Sequence, residues 1–407
     1  MRALPLLAVI VLLLCGPATA FASDPDFSIP NGWFFSQAGG SGGLGYAITN
    51  DGGVAFWRDF QRLGGVASLG YPSSWRFVGS DGFVYQATQG ALLQWRPDEE
   101  TTVLANSFDL LSAANKDDWL KARSIPPPVA DDGSRGDAAR SYQIRLSWLE
   151  DDAIRAYYLA NPNPADLTDW SAQKAVQLYG LPMSHPVRQG PFVVQRFQRV
   201  AIQRWVELVP GMPRPGTVTK VLAGDLLKDA GLLPAASAQP AAAGSASARI
   251  EPDLRAPLEL LSGVGPAKPL YDLALTRPLA VVWAPMPGDV AGLYSARRRW
   301  IAINLRWKDA DPKAIATLLS HELSHARDFF GDKAIWTSDG CFQTEQDAFR
   351  TQAQVWEAFY GPGGKTGELS EIDRQQNFVL GSIHRDPDGF AARVQQVYQP
   401  ECGQSRG

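Results

Sequence analysis

Periodicity and composition predict an α+β chain of several domains: two β-rich repeat modules followed by a C-terminal domain in which short strands precede long helices. Three observations carry this. A block of Gly, Pro, Gln and Trp residues recurs in the N-terminal half at an offset of about 110 residues, the mark of duplicated units. An Ala/Ser/Pro-rich stretch at 235–249 then reads as a flexible linker. Beyond it, three apolar strand-like runs lead into a long segment with helical spacing of apolar residues.

The first 22 residues read as a secretory signal. Arg2 supplies the positive end, Leu4 to Leu14 the apolar segment, and Ala18-Thr19-Ala20 or Ala20-Phe21-Ala22 a small-x-small cleavage site. Lipidation at Cys15 is the rival reading, disfavoured by the large Leu14 just before it. The apolar run is too short to span a bilayer, and no later segment is long enough, so no transmembrane helix is expected in the mature chain. The expected location is secreted or extracytoplasmic. The 407 residues suffice for two or three domains with sizeable cores. A formal net charge of -4 with no basic face excludes a nucleic-acid binder.

Signal cleavage leaves Cys341 and Cys402, an even pair in an oxidising compartment, and a disulfide between them is expected.

The first module, 27–123, carries Gly70-Tyr71-Pro72-Ser73-Ser74, Gln86, Gln89 and Gln94-Trp95. The second, 138–234, repeats this as Gly180-Leu181-Pro182-Met183-Ser184, Gln195, Gln198 and Gln203-Arg204-Trp205. Each copy is read as short strands broken by Gly, Pro and Asp-Gly, closed by a helix around Phe108–Leu111 or Asp225–Leu227. Tryptophans are dense here: Trp33, Trp57, Trp75, Trp95, Trp119, Trp148, Trp170 and Trp205. If exposed, they would stack on sugar rings; as large aromatics they more often fill small cores.

The first copy resembles an LGFN repeat through Leu63-Gly64-Gly65, Leu69-Gly70-Tyr71-Pro72, Asp81-Gly82, Tyr85-Gln86 and Gly90-Ala91-Leu92-Leu93-Gln94-Trp95. The resemblance implies association with the cell envelope, with a cell-envelope glycan as partner. The second copy departs from it, lacking the leading Gly-Gly and placing Leu181 where the first has Tyr71.

The C-terminal domain, 250–407, opens with a buried strand at Leu279–Trp283 and two strands, Gly292–Ser295 and Trp300–Leu305, joined by a basic turn. A helix follows. Asp311 is its N-cap, Pro312 its first residue and Gly331 its stop, with Ile315, Leu318, Leu319, Ala326 and Phe329 on the buried side. It carries His321-Glu322-Leu323-Ser324-His325, an H-E-x-x-H motif. Two imidazoles one turn apart share a face and suit one zinc ion, and the intervening glutamate reaches a water on it. A chance match on a core helix is the bland alternative. A third ligand is required, and Glu345, about twenty residues on at the start of a second helix, is the candidate. Its plain alternative is a helix-N-terminal carboxylate.

Strand, edge hairpin and motif helix resemble a zincin metallopeptidase, and two histidines with a later glutamate resemble its gluzincin class. The resemblance implies one Zn2+ per chain held by His321, His325 and Glu345, Glu322 as general base in peptide hydrolysis, and a protein or peptide substrate paired to an edge strand. Where that class places an aspartate four residues past its ligand glutamate, this chain has Phe349; Asp328, Asp339 and Asp347 are the candidate substitutes, and Tyr294 is a candidate donor to a developing oxyanion, while His384, which has no motif of its own, is read as a surface or structural histidine and left out of the site. Two alternatives stand beside this. One is a non-catalytic envelope- or glycan-binding surface protein with a degenerate zincin domain. The other is a zinc hydrolase of a non-peptide amide. An inhibitory pro-segment role for the N-terminal half is a further expectation to weigh.

Overall fold

The structure, a computed structural model, describes residues 26–36, 43–162, 170–242, 249–288, 290–331 and 337–403. The signal segment 1–22, with Cys15, lies outside the described residues. Among those described, no helix is long and apolar enough to cross a membrane.

Strands β1 (Asp26–Ile29), β2 (Gly32–Phe35) and β3 (Leu44–Thr49) form an antiparallel meander that sequence periodicity did not reveal. A tight turn at Asp51–Gly53 leads to helices α1 (Phe56–Arg62) and α2 (Gly65–Leu69). A second antiparallel sheet follows, a run of β4 (Phe77–Val78), β5 (Val84–Thr88), β6 (Ala91–Arg96) and β7 (Thr101–Leu104). Helices α3 (Ser107–Ala113) and α4 (Asp117–Lys121) close it.

The second copy is less β-rich than its sequence suggested. Before any strand it builds α5 (Ala138–Ser147), α6 (Asp152–Leu159) and α7 (Ala172–Tyr179). Each is started by a side chain, Asp137, Asp151 or Ser171, that accepts from a backbone N–H two or three residues on. Its antiparallel sheet then comprises β8 (Val187–Gln189), β9 (Phe192–Arg196), β10 (Ala201–Trp205) and β11 (Val218–Lys220), followed by α8 (Ala223–Asp229).

The two sheets carry the same hydrogen bonds at matching positions. Gly70 and Gly180 both take positive φ, 73° and 78°. The next N–H, of Tyr71 or Leu181, donates to the side chain of Gln89 or Gln198. The side-chain amide of Gln86 or Gln195 donates to the Ser74 or Ser184 carbonyl, and the serine hydroxyl accepts from Ala87 or Arg196. The copies are also interlocked. Helix α3 of the first donates from Phe108 N to the Gln198 carbonyl, and α8 of the second donates from Gly224 N to the Gln89 carbonyl. Phe108, Leu111, Ala223 and Leu227 thereby share one buried cluster with Tyr85 and Val194. None of the tryptophans named above is exposed, and Trp95 and Trp148 are buried.

The first part of the Ala-rich stretch is laid onto the N-terminal strands instead of hanging free. Strand β12 (Ala241–Ala242) pairs with β3, the Ala238 carbonyl accepts from the Tyr46 hydroxyl, and that of Gln239 accepts from the Trp75 indole. Backbone groups of small residues make these bonds as well as any others do, which composition does not reveal. Residues 243–248 lie outside the described residues.

The C-terminal unit starts with β13 (Arg249–Ile250) and helices α9 (Pro252–Leu260) and α10 (Lys268–Thr276). Its sheet adds β14 (Ala280–Ala284), β15 (Gly292–Ser295) and β16 (Trp300–Asn304) in the order β13-β14-β16-β15. The first three are parallel, and β15 is an antiparallel edge strand. Strands β14 and β16 are buried throughout, as apolar runs covered on both faces should be. Five helices follow: α11 (Pro312–Phe330), α12 (Ser338–Tyr360), α13 (Glu371–Arg385), α14 (Pro387–Val397) and α15 (Gln399–Cys402). One apolar cluster joins Val281, Ile303, Leu319 and Trp356 here to Phe35, Phe60 and Tyr158 of the N-terminal half.

Cys341 and Cys402 form a disulfide across a separation of 61 residues, tying α15 to the first turn of α12. In the chain-entropy account a loop of that size is worth about 4 kcal/mol, so Cys402→Ser should lower the unfolding free energy by up to that amount. Urea unfolding with and without reductant checks it; a wild-type curve indifferent to reductant would contradict the bond's role.

Candidate metal centre

Helix α11 is placed by its own ends. The Asp311 carboxylate accepts from Lys313 N–H at 2.9 Å, Pro312 opens the first turn and Gly331 ends the last. The helix is buried almost all round, from Ala314 through Ser324, between the sheet and α12. This exceeds the one-sided burial that its apolar spacing predicts, and such a helix is a rigid support.

His321 and His325 project from one face, their Nε2 atoms 3.2 Å apart. From the first turns of α12, Glu345 brings Oε2 to 3.6 Å from His321 Nε2 and Oε1 to 3.5 Å from His325 Nε2. The three residues sequence reasoning grouped are thus brought together, and they form a group able to hold a metal ion. The spacing is a sharper test. Ligand atoms 2.0–2.2 Å from a tetrahedral zinc lie about 3.3–3.5 Å from one another. The two nitrogens, 3.2 Å apart, each have a Glu345 oxygen within 3.6 Å, close to that spacing, with a different carboxylate oxygen facing each imidazole. Glu345 Oε2 and His321 Nδ1 are buried without hydrogen-bond partners, a cost that a cation at the first would offset.

The electrostatics agree. Burial pulls the pKa of His325 down to about 4, keeping its ring neutral and able to ligate. Burial acts the same way on His321, but the adjacent Glu345 carboxylate and the charge of Glu322 outweigh it and hold that pKa above the ordinary value. Glu345 is pushed up by burial and pulled down further by both histidines, so it stays ionised.

Glu322 points away from this cluster toward β15. Burial and the charge of Glu345 raise its pKa to about 7, against the opposing pull of His321 and of the Tyr294 N–H that donates to it. A bound dication would lower this again. Its position depends on Gly292: a Cβ there would lie 2.7 Å from Glu322 Oε1, so only glycine leaves room for the carboxylate.

Tyr398, between α14 and α15, was missed by sequence reasoning. Its hydroxyl donates to Glu345, and it lines the same cleft. It carries no motif and sits 53 residues past Glu345; the available signal was Cys402, whose disulfide returns the tail to the start of α12. Phe349, at the position of the expected aspartate, packs its ring 4.5 Å from that of His321. Asp328 pairs with Arg327 and influences His325 through its charge, while Asp347 pairs with Arg350 and Gln343. Asp339 lies in the first turn of α12. His384 pairs with Glu357 outside the cleft, whereas Tyr294 lines it.

The cleft is open and holds about 700 Å³. Its floor is the His321–Glu322–His325–Glu345 group, and one wall is β15 with the turn after it. Gly52 and Gly53 of the N-terminal half also line it. Gly52, at φ 63°, lies so close to β14 that a Cβ would meet Val282 at 2.8 Å. Comparison with protein-family models, curated proteins and solved structures finds no match for this chain.

Proposed function

We propose that this chain is an exported zinc-dependent metallopeptidase of the gluzincin type, with His321, His325 and Glu345 as ligands and Glu322 as general base. The observation that carries this is the convergence of the two imidazoles and the Glu345 carboxylate beside a further buried carboxylate, Glu322, that is not among them. Zinc, when bound, supplies a Lewis acid that lowers the pKa of water at its open position and polarises a carbonyl. Glu322, held by Tyr294 N–H against Gly292, takes the proton of the attacking water and passes it to the leaving amine. Tyr398 holds Glu345 in its ligating orientation. Edge strand β15 offers unpaired backbone groups to an extended peptide, which a hydrolase of peptide bonds needs and a simple metal store does not.

Export fits the N-terminal segment and the disulfide. The LGFN-like copies are assigned to association with the cell envelope. Metal content decides the central point. The purified wild-type chain should hold about one zinc, and Glu345→Ala should bind it at least tenfold more weakly. Absence of zinc after metal-replete purification would leave a binding protein on an inherited scaffold.

A further inference from the structure

The turn between β15 and β16 is Ala296-Arg297-Arg298-Arg299, and it forms one end of the cleft. All three arginines are exposed, and among the described residues none is paired with a carboxylate. Arg297 and Arg298 are the two arginines that line the cleft. The turn is not loose. The Arg298 carbonyl accepts from the Asn31 side chain at 2.6 Å, which fixes it to the β1–β2 turn. Arg299 holds a left-handed backbone, φ 52°, where glycine or asparagine would be less strained. Of the acidic groups that share the cleft, Glu345 faces the two histidines and Glu322 lies against Gly292 at the other end of β15 from the turn.

We infer that Arg297 and Arg298 form a subsite for side-chain carboxylates, so that the preferred substrate is an acidic peptide bound along β15. This rests on the peptidase reading for the identity of the occupant. A peptide extended along β15 advances about 3.3 Å per residue, and the strand has only four residues, so a side chain two or three positions from the reacting bond reaches the turn. Guanidinium groups on a positioned turn suit carboxylates, binding each through two parallel N–H donors. Leu293, exposed at mid-strand, adds apolar contact between the two polar ends.

The test separates this inference from the catalytic one by measuring binding without turnover. The probes are two short fluorescein-labelled peptides capped at both ends, identical except that every Glu of one is Gln in the other. Capping removes the terminal carboxylate as a source of charge. The protein is the zinc-loaded full mature chain carrying Glu322→Gln. The Glu peptide should bind at least about tenfold more tightly, ~1.4 kcal/mol, and the advantage should shrink with added salt. Adding Arg297→Gln and Arg298→Gln should reduce it to less than about twofold, with each single exchange giving part of the loss. Zinc content and circular dichroism confirm that these surface exchanges leave the fold intact. Equal binding of the two peptides, or an advantage that survives the double exchange, overturns the subsite. So does inorganic polyphosphate displacing the Glu peptide as well as free Glu peptide does, which marks a general polyanion surface. Wild-type hydrolysis is scored separately: a Glu preference without hydrolysis removes the peptidase reading alone, and hydrolysis without preference removes the subsite alone.

Discussion

Glu322→Gln is expected to lower peptide hydrolysis by roughly 10²–10⁴-fold while leaving one zinc per chain in place. The exchange is nearly isosteric, and Glu322 is not among the three residues grouped as able to hold a metal ion, so that group is left intact. What is lost is a carboxylate able to take a proton, in a pocket where burial holds its pKa to about 7 before any cation is added. Glutamine also presents an amide that cannot accept from Tyr294 N–H and take up a proton at the same oxygen. The companion exchange Gly292→Ala attacks the same carboxylate from the other side. A methyl group 2.7 Å from Oε1 must displace the Glu322 side chain, because the nearest alternative is movement of β15 itself. It should reduce turnover by at least tenfold with zinc retained, since misplacing a catalytic group by about 1 Å is costly. Both measurements pair a peptide assay with metal analysis. Loss of zinc from Glu322→Gln would mean that this residue is a ligand, and unchanged hydrolysis would remove it as the base.

What the sequence made legible here was local. H-E-x-x-H announces itself because a helix places residues four apart on one face, and the caps Asp311 and Gly331 lie within the same stretch. Glu345 was reachable because a third ligand is a chemical necessity, and the disulfide because two cysteines remained. The repeat offset was visible, but the exchange of α3 and α8 between the copies was not, since nothing in a repeat says which copy its last helix covers. Buried charge left no trace in the sequence. Arg196, Arg249 and Asp51 are each buried, held by partners 79 or 198 residues away. Tyr398 and Gly52 reach the cleft for the same reason: tertiary contacts between distant segments leave no periodic trace.

Arg249→Met is expected to cost about 3–5 kcal/mol of stability, because it strands a buried carboxylate. Arg249 opens the C-terminal unit, and its guanidinium donates twice to Asp51, at 2.9 Å each, with both side chains almost wholly buried. Nearby, Arg76 donates to the Asp51 carbonyl and to the Trp283 carbonyl of β14, and pairs with Glu251 at 2.5 Å. These groups clamp the Asp51–Gly53 turn onto β14, and that turn lines the cleft. The N-terminal half is therefore part of the wall around the metal group, which bears on its role. If it were a removable inhibitory segment, a chain starting at residue 249 would gain activity. The clamp predicts the opposite: that chain strips Arg249 and Glu251 of their ion-pair partners and uncovers β14, so it should be poorly soluble and inactive. Asp51→Leu combined with Arg249→Met should recover much of the stability lost by Arg249→Met alone, since replacing both charges leaves none stranded. Urea unfolding of the single and double variants reads this directly. A cost below about 1 kcal/mol for Arg249→Met, the range of an exposed pair, would show that the clamp does not hold the two halves together.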